Sequence, residues 1–201
     1  MLRYKWLSTA VLLVSSVSMF GQDANDPVED ILGALPKVEG WQQGETRSYG
    51  DARLGMSVGF NSEKGGTFTV FVYDKGITNI QDGPDSDLAK EEVSAAKAEI
   101  QMAIELGYYE KVEFHDEEIV ALSENVKSRR LRMTLFANGR KLTSEIYVYG
   151  HLGYFIKFRA TRAYEDKASA NKDFNEFVKK VADSLHKYKA DTEKLPADVG
   201  N

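Results

Sequence analysis

Eight basic residues crowd into the second half of the chain: Arg129, Arg130, Arg132, Arg140, Lys141, Lys157, Arg159 and Arg162. Guanidinium groups present planar forks of donors, so such a cluster suits carboxylates and phosphates. In an extended strand, successive side chains point to opposite faces. Arg130 and Arg132 therefore share one face, with Leu131, Met133 and Leu135 on the other, and Lys157, Arg159 and Thr161 alternate with Ile156, Phe158 and Ala160. If the two strands are neighbours, Arg130, Arg132, Lys157 and Arg159 form a basic, tyrosine-edged surface for an acidic protein partner or a small anionic ligand. The plainer alternative is a solvated sheet face laced with weak pairs to Glu113, Glu118 and Glu145.

Other residue types point to catalysis less well. Gly55-Met56-Ser57-Val58-Gly59 matches the nucleophile elbow G-x-S-x-G, which needs a strand-to-helix turn, yet this serine sits in an alternating run followed by a turn and another strand. Ser94-Ala95-Ala96-Lys97 and Ser123-Glu124-Asn125 echo two elements of penicillin-recognising enzymes, but the Lys-Thr-Gly element is missing. His115, His151 and His186 have no close ligand spacing. In His115-Asp116-Glu117-Glu118 strict alternation lets only His115 with Glu117, or Asp116 with Glu118, share a side, too few ligands for a zinc or hard-cation site. Asp82-Gly83-Pro84-Asp85-Ser86-Asp87 reads as turn and helix-cap chemistry, not as a calcium loop. With no cysteine and no glycine-rich phosphate loop, we expect no catalytic residue, metal or cofactor. The competing reading is a hydrolase or metal-dependent enzyme whose site unites distant histidines with carboxylates.

The elements that would position these groups follow from periodicity. Residues 1–21 have the form of an export signal: Arg3 and Lys5, an uncharged apolar stretch from Leu7 to Phe20, then a polar run. Without them the charge is 24 minus 31, or −7, against −5 for all 201 residues, which argues against a nucleic-acid partner. No further membrane segment is expected, and the address is periplasm or medium. Residues 22–37 hold a short helix capped by Asn25 or Asp26, with Pro27 in its first turn. A single domain then spans 38–188. Leu54, Met56, Val58 and Phe60 alternate, and Thr67 to Tyr73 is rich in β-formers. Val93, Ala96, Ile100, Ala103 and Ile104 mark a helix ended by Gly107. Val112–Leu122, Arg130–Ala137, Lys141–Tyr149 and Tyr154–Arg162 form a meander with a hairpin turn at Asn138-Gly139. Phe174, Phe177, Val178, Val181 and Leu185 lie on one side of a last helix from about Ala168 to Tyr188, and 189–201 is expected to be a disordered tail.

This order predicts an α+β fold: a mainly antiparallel sheet of about six to seven strands covered by two long helices. The layout resembles the Mog1/PsbP-like family over about residues 38–188, above all where Gly153-Tyr154-Phe155-Ile156-Lys157-Phe158-Arg159-Ala160-Thr161 feeds the helix of Phe174, Phe177 and Leu185. That resemblance implies a sandwich fold and a spread of roles, photosystem assembly in some members and GTPase binding in others. It assigns no residue a role. The reading is an exported, non-catalytic domain that binds a protein or small ligand in the cell envelope; a structural or assembly-helper role is the other non-enzymatic reading.

Overall fold

Strand and helix boundaries in the computed structural model, which describes residues 26–164 and 171–192, follow local chemistry closely. Asp26 caps the first helix, α1 (Pro27–Gly33), by accepting from the Val28 amide at 2.9 Å. Ser86 caps α2 (Asp87–Glu105), its hydroxyl accepting from the Ala89 amide at 3.1 Å. Gly107 then closes that helix with φ of 78°, its amide bonding Ile104 and the next amide, of Tyr108, bonding Ala103. Asn138 and Gly139 both take positive φ at a hairpin, as a two-residue I′ turn requires.

Seven strands follow the chain as β1 (Trp41–Ser48), β2 (Met56–Ser62), β3 (Thr67–Tyr73), β4 (Lys111–Ala121), β5 (Lys127–Ala137), β6 (Arg140–His151) and β7 (Tyr154–Ala163), with α3 (Lys172–Thr192) last. They form one antiparallel sheet in the order β1-β2-β3-β7-β6-β5-β4. Two meanders, β1 to β3 and β4 to β7, are joined by α2 and meet where β3 pairs with β7.

The apolar side chains divide into two clusters on opposite sheet faces. Val58, Phe60, Phe68, Val70, Phe158 and Ala160 pack with Ile31 and Leu32 of α1 and with Phe174, Phe177, Val181 and Leu185 of α3. Leu131, Met133, Leu135, Ile146, Val148 and Phe155 pack with Val93, Ala96 and Ile100 of α2. Trp41 stacks on Phe177 at a centroid distance of 3.8 Å, while Phe60 and Phe68 meet the Phe177 ring edge-on at 5.2 and 5.1 Å. Each such aromatic pair adds about 0.5–1.5 kcal/mol beyond burial.

Three expectations change. β1 is a strand although Trp41-Gln-Gln-Gly-Glu-Thr-Arg-Ser48 carries no apolar alternation, because an edge strand with exposed side chains leaves no such trace. Leu54 falls in a single 3₁₀ turn (Ala52–Leu54), so β2 starts at Met56. Helix α3 runs on to Thr192, four residues into the segment read as a disordered tail. The expected leader, the start of α3 near Ala168 and the tail beyond Thr192 lie outside the described residues.

Candidate functional site

The four basic residues do not share a face. Arg130 lies opposite Tyr147, and Tyr147 opposite Phe158; Leu131 lies opposite Ile146, and Ile146 opposite Arg159. Directly paired residues point the same way, so Arg130 and Arg132 belong to the α3 side while Lys157 and Arg159 belong to the α2 side. β6 also separates β5 from β7. The expectation of one contiguous basic surface fails on both counts.

On the α3 side Arg130 and Arg132 build an ion network around Glu145, which is 1% exposed rather than solvated. The Arg162 Nη1 donates to its carboxylate at 2.7 Å, Arg132 Nε at 3.0 Å and Arg130 Nη1 at 3.3 Å. Arg130 also pairs with Glu118, and Arg162 Nε donates to Asn171 Oδ1 at 2.7 Å. Burial alone pushes the Glu145 carboxyl up, but the guanidinium groups, Arg162 foremost, outweigh it and hold the group below its ordinary value.

A second buried carboxylate, Glu92, sits between α2 and the sheet at 3% exposure. The Tyr73 hydroxyl donates to it at 2.5 Å, and Lys75 pairs with its other oxygen. The Lys157 amino group lies 3.8 Å from Glu92 and 4.0 Å from Glu99, over the rings of Phe71 and Tyr73. Burial lowers the Lys157 ammonium from the ordinary lysine value despite those two carboxylates. Burial first, then the charge of Glu92, pushes the Tyr73 phenol well above its usual value. Glu92 is not among the residues that the charge pattern of the sequence singles out, although its i, i+4 spacing to Ala96 on the helix's apolar side turns it inward.

Beside this network the α2 cluster takes in Tyr73 of β3 and Phe155 of β7, with Phe71 packed at its edge, and the rest of that face over β1, β2, β3 and β7 lies beyond it. Gly59, Thr69, Phe71, Arg159 and Thr161 remain half-buried there. The pairings Arg47 to Ser57, Ser57 to Phe71 and Phe71 to Lys157 place Arg47 on the same face. Among the described arginines, Arg53, Arg129, Arg130, Arg132 and Arg162 each pair with a carboxylate. Arg159 instead donates to the Tyr109 hydroxyl at 2.5 Å, and Arg47 stands 5.4 Å from the Tyr49 ring centroid. Arg47 and Tyr109 carried no signal in the sequence, since their place depends on register and on the α2–β4 turn.

The catalytic motifs are absorbed by structure. Ser57 lies within β2 and hydrogen-bonds the Tyr49 hydroxyl at 2.8 Å; Ser94 bonds back to the Lys90 carbonyl at 3.0 Å inside α2. His115 meets Thr134 Oγ1 at 2.9 Å, and His151 meets the Leu185 carbonyl at 3.1 Å. His186 lines a cavity of about 310 Å³ with Glu124, Lys179 and Asp183 toward the C-terminal part of α3. An irregularity in β4 between Phe114 and Glu117 breaks the assumed alternation: Glu117 pairs with Arg129 on the α2 side, away from His115 and Thr134. Among the described residues no three His, Asp or Glu side chains form a metal cluster. Asp82 accepts from the Leu152 amide at 2.9 Å, in keeping with turn chemistry. A second cavity of about 430 Å³, lined by Lys37, Val38, Trp41, Gln43 and Phe60, opens beside α1.

Fold and site together define an α+β domain built on one seven-stranded antiparallel sheet, with charge networks buried on both faces. Among solved structures it is similar to the solution structure of cyanobacterial PsbP (CyanoP) from Synechocystis sp. PCC 6803, at 13% identity over 73% of this chain and 83% of that one, with a TM-score of 0.46. That is the family the sequence resembles. No protein-family model matches the chain. No curated protein matches it.

Proposed function

We propose that the chain is an exported, non-catalytic binding domain, working in the periplasm or the medium, that holds an acidic protein segment on the open half of its α2 face. Helices α2 and α3 cover the sheet from opposite sides and serve as scaffold. One observation carries the reading: Arg47 and Arg159 present guanidinium groups on that half-face with a tyrosine as partner, while five other arginines already hold carboxylates. A carboxylate is the group such a fork binds best. The floor between them, Gly59, Thr69 and Phe71, is small or flat. β1 and β7 lie three strand spacings apart, roughly 14 Å, so an extended segment with two or more carboxylates spans the pair.

The test is calorimetric titration of the protein with a Glu/Phe decapeptide and, separately, with citrate and inorganic phosphate. The decapeptide is expected to bind saturably and to lose about tenfold in Arg159→Glu and in Arg47→Glu, since each removes a charge-assisted pair. Arg132→Gln, on the opposite face, is expected to leave it unchanged. Equal affinity in all variants contradicts the proposal; loss in Arg132→Gln alone moves binding to the other face.

A further inference from the structure

Helix α2 carries a second apolar stripe, on the side away from the sheet. Its buried line is Ala89, Val93, Ala96 and Ile100. At about 100° per residue, Ala95, Ala98 and Leu106 all fall within about 40° of Met102 on the helical wheel, and Met102 is exposed. Met102 and Leu106 are each 61% exposed, and Tyr108, just past the helix end, is 48% exposed. Three of the six large apolar side chains that the described residues expose thus fall within seven positions.

The flanks of the stripe are acidic. Asp87, Glu91, Glu99 and Glu105 lie within about 60° of Met102, whereas Lys90 and Lys97 lie beyond about 100°. Asp87 turns to Lys90 at 2.7 Å, Glu99 faces Lys157 at 4.0 Å, and Lys97 leans over the Phe114 ring at 5.0 Å. A second copy of this chain packed by two-fold symmetry would set these carboxylates against each other, which disfavours self-association.

We infer that the outer stripe of α2 docks an amphipathic helix of a partner protein whose apolar residues cover Ala98, Met102 and Leu106 and whose lysines or arginines meet Glu91, Glu99 and Glu105. This surface has the opposite charge preference to the open sheet half-face and stands independently of it.

The experiment is anisotropy of a labelled 14-residue Leu/Lys amphipathic peptide, leucine at heptad a and d positions, titrated with the full chain beside its Leu/Glu counterpart. Saturable binding of the Leu/Lys peptide is expected, weaker as salt is raised, and about tenfold weaker in both Met102→Ser/Leu106→Ser and Glu91→Lys/Glu105→Lys. All four positions are exposed, and an unchanged thermal midpoint checks that the variants fold. No saturable binding, or binding by either variant as strong as by the unaltered chain, overturns the inference. A concentration-dependent dimer abolished by Met102→Ser/Leu106→Ser gives the stripe to a second copy and overturns it as well. Binding of the Leu/Glu peptide alone, lost in Arg159→Glu, overturns this inference and leaves the proposed function standing.

Discussion

At Glu145 three guanidinium groups converge on a carboxylate that water does not reach. Removing one partner of such a network strands the others, so Glu145→Ala is expected to lower stability by about 3–5 kcal/mol in urea unfolding at neutral pH. The folded carboxyl is held below its ordinary value. Its contribution is therefore complete above the unfolded value of about 4.3 and drains as pH falls through the lower folded value. Glu145→Gln is accordingly expected to flatten the acid limb of the stability profile; an unchanged limb would place acid sensitivity elsewhere. Gly150 is a second sensitive position, because a Cβ there would stand 1.9 Å from the Gln81 carbonyl oxygen, where the Gly83–Gly150 backbone pair ties the loop to β6. Gly150→Ala is expected to cost about 1–3 kcal/mol by the same assay. Gly150 carries no signal in the sequence, where Glu145 reads as a solvated pair partner of the basic residues. The burial of Glu145 against Arg162 depends on the register of the β6–β7 hairpin, which the residue pattern alone does not specify.

Helices and central strands were legible because each keeps one face apolar at its own period, as Val93, Ala96 and Ile100 do for α2 and Ile156, Phe158 and Ala160 do for β7. β1 was not, since its fold is fixed from outside, by β2 and by Trp41 lying on Phe177. Trp41→Ala is expected to cost about 3 kcal/mol and to speed amide exchange in β1 while β5 and β6 stay protected. Uniform loss of protection across the sheet would show that β1 is not a separate unit. The β4 irregularity is the other element-scale surprise, because one misregistered step moves Glu117 to the opposite face from His115.

Across the whole molecule, α2 lies over the β4–β5–β6 side of one face, and α1 and α3 over the β2–β3–β7 side of the other. The sheet order therefore decides which basic residues stay available, and it parts Arg130 and Arg132 from Lys157 and Arg159. Sequence alternation placed each pair correctly within its own strand; whether the pairs meet turns on β6 lying between β5 and β7 and on the registers of the two hairpins. Arg47 and Arg159, each set against a tyrosine, are the groups on which the proposed binding to the open half-face rests. The most direct measurement is the decapeptide titration of the unaltered chain against Arg159→Glu under one salt condition. Saturable binding that falls about tenfold in the variant is the predicted result; binding of equal strength in both, or none in either, contradicts the account.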